Sequence, residues 1–269
     1  MLDFFLNSWL LFLAVGALAG LLAGLLGIGG GFVIVPALMI VLPTKGFSPE
    51  HFMHVALGTS LATITVTSLS SMWSHHKRGG VDWRYFVTLA PGVLIGALLS
   101  GVIADAIPAK PLAILFGSLA LLMMVQLFRS NPNQGAANEM KTWQVVITSG
   151  GIGCLSGLTG IGGGSIVAPY LHFLGERIER CVGTASATGL PIALAGSISY
   201  WLMGLDESLP EGAIGYIYLP AFLGIIVTSI LTAPIGAWLA HKLPQRVLVN
   251  VYAIFLLLTG VYVIGKQVI

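Results

Sequence analysis

Two glycine clusters, Gly29-Gly30-Gly31 and Gly162-Gly163-Gly164-Ser165, offer the most distinctive chemistry in this chain. Both lie inside long apolar stretches, residues 8–42 and 142–175, where consecutive glycines make an unbroken helix unfavourable. A helix that restarts at such a break presents unpaired backbone N–H groups and a partial positive charge at its N-terminus. Residues without side chains let an oxyanion approach that backbone. Gly29, Gly30, Gly31, Gly162, Gly163, Gly164 and Ser165 are therefore candidate ligands of a small anion. A bulky residue at Gly30 or Gly163 is expected to abolish its transport while leaving the protein inserted. The neighbouring Gly20-xxx-Gly24 and Gly153-xxx-Gly157 patterns fit close helix packing instead.

Hydroxyls form the second constellation. Thr59, Thr63 and Thr67 recur at i, i+4 and i+8 in the apolar stretch 52–73, with Ser60, Ser70 and Ser74 beside them. The stretch 182–203 repeats the pattern with Thr184, Thr188 and the nearby Ser186. Thr59, Ser60, Thr63, Thr184 and Thr188 are candidates for lining a substrate path. The competing reading is that each hydroxyl bonds its own i−4 carbonyl. His54, one turn before Gly58-Thr59, and His172, just after Pro169, are candidates for proton coupling, against a plain structural role. The His75-His76-Lys77-Arg78 run reads as a cytoplasmic anchor for anionic lipid, or as a collector of anions at the inner mouth.

Other chemistries lack their residues. All ten acidic residues fall at the ends of apolar stretches or between them, and there is no HExxH sequence. Cys154 and Cys181 make no metal or redox pair, and the glycine motifs lack the lysine of a nucleotide-binding loop. No metal, cofactor or enzymatic activity is expected. Two alternatives stay open: a cation- or proton-coupled carrier of another small organic solute, and an intramembrane hydrolase with an embedded serine and His54 or His172 as base.

The elements that hold these residues must be membrane helices. The chain of 269 residues is 56% hydrophobic and 8% charged, against about 25% charged in soluble domains, so lipid is its solvent. A net charge of +2 gives no nucleic-acid signal. Six further apolar stretches of single-span length run at 52–73, 84–104, 111–128, 182–203, 214–240 and 247–265. The N-terminal stretch lacks a basic leader and reads as mature structure, not a cleaved signal.

The chain repeats itself. Gly20 through Leu38 aligns with Gly153 through Leu171, with eleven of nineteen positions identical, and Gly58-Thr59 is echoed by Gly183-Thr184. Residues 1–128 and 142–269 are thus expected to be homologous membrane repeats joined by a polar linker, 129–141. The loop after the second stretch of the first half is basic (Lys77, Arg78, Arg84), whereas its counterpart holds Asp206, Glu207 and Glu211. Opposite charge on equivalent loops places them on opposite sides of the membrane. If each glycine-broken stretch turns back to the side it entered from, nine of the twelve basic residues gather on one face. The expected fold is an all-α polytopic inverted repeat. Each half has a re-entrant, glycine-broken helix pair followed by three transmembrane helices, with both termini outside.

The sequence GLLAGLLGIGGGFVIVPAL, its partner GCLSGLTGIGGGSIVAPYL, the GT-containing helices and the HHKRGGVDWR loop resemble the TauE/SafE family of sulfite exporters and related permeases over nearly the whole chain. The resemblance implies export of a small sulfur-containing anion such as sulfite or an organosulfonate. It also implies a place in a bacterial inner membrane, and the loop charges expect the basic loops to be cytoplasmic.

Overall fold

The computed structural model describes residues 2–27, 29–129, 142–240, 242 and 245–268. Of the expected linker, residues 130–141 lie outside the described residues, as does Ile28, just before the first glycine cluster. In the first half, α1 (Leu2–Leu26) and α2 (Gly31–Val41) flank the glycine cluster, followed by α3 (Phe52–His76), α4 (Trp83–Asp105) and α5 (Ala109–Arg129). In the second, α6 (Thr142–Leu158) and α7 (Gly164–Phe173) flank the other cluster, followed by α8 (Ile178–Met203), α9 (Leu219–Ala240) and α10 (Gln245–Val268).

Helices α3, α4 and α9, with most of α5 and α8, are each long and apolar enough to cross a bilayer. Their outward faces carry side chains such as Leu99, Leu122, Val227 and Leu231, all more than half exposed, as lipid-facing helices do. The chain is a polytopic, all-helical integral membrane protein. One expected boundary shifts. The stretch read as a span from residue 214 begins instead as a small antiparallel hairpin, β1 (Ala213–Ile214) with β2 (Ile217–Tyr218), turning at Gly215. Apolar composition alone does not register that turn.

Small residues set the packing. Along α1, Gly16, Gly20 and Gly24 each face the backbone of α9, at Ile225, Ser229 and Ala233 in turn. Along α4, Gly92 and Gly96 face Val146 and Gly150 of α6, and Gly153 and Gly157 of α6 face Val93 and Ser100 of α4. Residue numbers rise together in both pairs, so the helices run parallel. Gly20, Gly24, Gly153 and Gly157 thus act as packing residues. Every principal helix pairing survives exchange of α1–α5 for α6–α10: α1 with α9 becomes α6 with α4, α4 with α8 becomes α9 with α3, and α3 with α8 and α5 with α10 map onto themselves.

Tyr170, near the end of α7, hydrogen-bonds Thr148, in the first half of α6, at 2.8 Å. Phe47, beyond the end of α2, and Phe12, in the first half of α1, both contact the ring of Tyr218.

Candidate functional site

Helices α2 and α7 are each capped by a glycine in the left-handed conformation, Gly30 at φ 84° and Gly163 at φ 77°. Only glycine adopts this conformation without strain, and neither cap has a side-chain acceptor for the N–H groups that follow. Their first turns are buried: Gly31, Phe32 and Val33 on one side, Gly164 and Ser165 on the other. The two breaks meet in the interior. A methyl group on Gly29 would lie 2.8 Å from Ile64 Cγ2 and one on Gly162 would lie 2.6 Å from the same atom, while Gly31 abuts the carbonyl of Gly160. Ile64, fully buried at the middle of α3, is therefore wedged between both clusters. Nothing in the sequence distinguished it from other aliphatic residues.

The predicted hydroxyls divide by what their protons do. Thr63 and Thr188 donate to the carbonyls of Thr59 and Thr184, four residues back. Ser60 donates to the Gly160 carbonyl at 2.8 Å and so ties α3 to the second break. Those three protons are committed within the protein. Thr59 and Thr184 instead accept, at 2.9 Å each, the backbone N–H of Tyr218 and of Asp82, the residues just before α9 and α4. The same threonine anchors the same helix start in both halves. Replacing Thr59 with valine is expected to orphan the buried Tyr218 N–H and destabilise the protein by about 1–3 kcal/mol, replacing Thr184 to cost less because the Asp82 N–H is half-buried, while serine restores most of either loss. Thermal unfolding in detergent reads both effects.

Two more buried hydroxyls have no partner at all, Ser165 in the first turn of α7 and Ser156 in α6. Ser156 lies beside the cap: its Oγ is 3.4 Å from the position a Cβ on Gly163 would take. Sequence reasoning missed it. The signal was present, because Ser156 stands where the first copy of the motif has Ala23.

Both predicted histidines are tied to helix ends. His54 Nε2 is 3.0 Å from the carbonyls of Ala104 and of Ile107 at the end of α4, and the ring stacks on Tyr216 at 5.2 Å. His172 Nδ1 is 3.2 Å from the Glu176 carbonyl. These contacts favour structural roles, although Nδ1 of His54 is buried and lacks a partner. Tyr216 donates to Asp105 at 2.8 Å, and burial, followed by that hydrogen bond, raises its pKa far above the ordinary phenol value. His51 pairs with Glu207 at 3.4 Å in the same neighbourhood.

The expectation that bulk at Gly30 or Gly163 acts only by filling a ligand position needs amendment. A side chain at Gly163 would strike Ile192, and a Cβ at Gly30 would lie 2.8 Å from the Ala19 carbonyl oxygen. Strain and steric conflict accompany either change.

Residues 12–263 match the family model described as Sulfite exporter TauE/SafE. A probable membrane transporter protein of Haemophilus influenzae is 37% identical over 254 residues, covering 94% of this chain and 96% of that protein. The probable membrane transporter protein YdhB of Bacillus subtilis is 30% identical over 262 residues (92% and 96%), and one from Methanocaldococcus jannaschii is 29% identical over 241 residues (88% and 86%). No solved structure matches the chain.

Proposed function

From the premise that this chain belongs to the sulfite exporter TauE/SafE family, and is therefore a membrane transporter and not an enzyme, we propose that it exports a small oxyanion, sulfite or an organosulfonate. The observation that carries this reading is the convergence of two buried, glycine-capped helix N-termini on Ile64. Each N-terminus is equivalent to roughly half a positive charge, and buried backbone N–H groups without a cap favour an anionic ligand. The ten acidic residues lie at helix ends or in the loops between, or outside the described residues, so a cation has no intramembrane carboxylate to bind.

The proposed scaffold is an inverted repeat, residues 1–128 and 142–269, with α1–α2 and α6–α7 re-entering from opposite faces. The symmetry of the helix pairings and the hydrogen bond from α7 to α6 between Tyr170 and Thr148 support it. On this reading the basic face is cytoplasmic. Exposed Trp73, Trp83, Trp143 and Trp238 lie toward it at helix ends, as interfacial tryptophans do. Lys77 and Lys242 cover the rings of Trp73 and Trp238. The membrane is the bacterial inner membrane. A monovalent anion leaving a cell gains about 2.3 kcal/mol per 100 mV of inside-negative potential, enough to drive export without a co-ion.

Purified protein in proteoliposomes is expected to show saturable sulfite or sulfonate flux under an imposed potential, with chloride and amino acids excluded. Flux of only cations or zwitterions overturns the reading. Flux under a proton gradient alone would assign coupling, with His54 and its open Nδ1 the first site to replace, and His172 the second.

A further inference from the structure

The two glycine breaks match in backbone but differ in chemistry. At the start of α7, Ser165 is 94% buried and Ser156, from α6, is fully buried beside the Gly163 cap, and neither hydroxyl has a partner. The matching positions at the first break are Phe32, at the start of α2, and Ala23, in α1. Phe32 is fully buried with its ring 5.5 Å from that of Phe116, so the first break is closed by apolar packing. A buried hydroxyl without a partner is unfavourable, and two beside one helix N-terminus are difficult to explain by packing. We propose that Ser156, Ser165 and the first backbone N–H groups of α7 form a one-sided subsite for the oxyanion head group, and that the α2 break contributes only shape and dipole.

The subsite deepens the anion-export reading and rests on it. Its donors suit the chemistry: two hydroxyl protons and the Gly164 and Ser165 amides, the next two N–H groups being taken by the Gly163 carbonyl, match an acceptor that carries charge on several oxygens, as sulfite, sulfonate or carboxylate heads do. Thr63, Thr188 and Ser60 are poor alternatives because their protons already reach carbonyls. A cleft of about 370 Å³ lies between α5, α6 and α7, and neither serine is in its wall. Its walls include Gln126, Thr148 and Tyr170, together with Ile152, one turn before Ser156, and Ile166, next to Ser165. No corresponding cleft is needed at α2, which packs against α10 and where Lys266 donates to the Met39 carbonyl at 2.6 Å.

The test uses the full chain in detergent and in vesicles, with sulfite as probe. Sulfite should raise the unfolding temperature of the wild type in a saturable way, as any ligand of the native state does. Ser156→Ala and Ser165→Ala should each shift the half-saturating concentration upward by about tenfold or more, as loss of a hydrogen bond to a charged ligand predicts. Ser165→Thr, which keeps the hydroxyl, should stay near wild type, and so should Thr88→Ala, whose hydroxyl serves only its own helix. Wild-type sulfite binding and flux that persist unchanged in both alanine variants would overturn the subsite and leave the export reading intact. Absence of any oxyanion response and flux in the wild type would overturn both.

Discussion

Valine at Gly96 is expected to destabilise the folded protein by about 3 kcal/mol or more, seen as a fall of about 6–12 °C in its unfolding temperature. The reason is that α4 meets α6 backbone to backbone at this point. A Cβ on Gly96 would strike the Gly150 carbonyl and come within 2.7 Å of the Cys154 nitrogen, and no rotamer change relieves contact with a main chain. Without a hydrophobic drive between helices in lipid, the seam depends on close van der Waals contact, so pushing the helices apart removes most of their attraction. The α1–α9 seam repeats the geometry: a Cβ on Gly24 would strike the Ala233 carbonyl and lie 2.7 Å from the Ala237 nitrogen. Gly24→Val should therefore have a similar effect. Gly151→Val supplies the control, because nothing lies within 4 Å of that position. Equal unfolding temperatures for Gly96→Val and Gly151→Val would show that the seam does not depend on close approach.

Much of this architecture is legible in the sequence because the bilayer fixes it. Span length follows from hydrocarbon thickness, and three adjacent glycines within a long apolar stretch end a helix regardless of its partners. The packing role of Gly20, Gly24, Gly153 and Gly157 was readable for the same local reason. The hairpin at 213–218 was not, because its turn depends on Gly215 lying against Trp201 of α8, a tertiary contact that hydropathy does not record. Hydroxyls were harder still. An i, i+4 threonine pattern looks alike whether the side chains line a path or bond the preceding turn, and only coordinates show that Thr63 and Thr188 do the latter whereas Thr59 and Thr184 receive N–H groups from other segments. The clearest unread signal was a difference between the halves. Ser156 against Ala23 and Ser165 against Phe32 mark where a duplicated frame stops being symmetric.

Alanine at Gly163 is expected to lower sulfite flux by about tenfold or more, and a second substitution separates the two reasons for the loss. At φ 77° an L-residue carries about 1–2 kcal/mol of strain, which is about a tenfold change in any equilibrium that depends on this conformation. The added methyl also meets the Cδ1 end of Ile192, a flexible side chain that truncation can remove. Ile192→Val, which removes only that Cδ1 from a fully buried side chain, should therefore recover part of the lost thermal stability in the Gly163→Ala background. Gly30→Ala has no such remedy, because the Cβ there meets the Ala19 carbonyl oxygen, which belongs to the main chain. If the α7 N-terminus holds the anion, the double variant will regain stability while flux and sulfite-induced stabilisation remain low, since the methyl still stands beside Ser156 Oγ. Recovery of flux in parallel with stability would instead mean that Gly163 serves only the helix break, and that the anion binds elsewhere along the interface around Ile64.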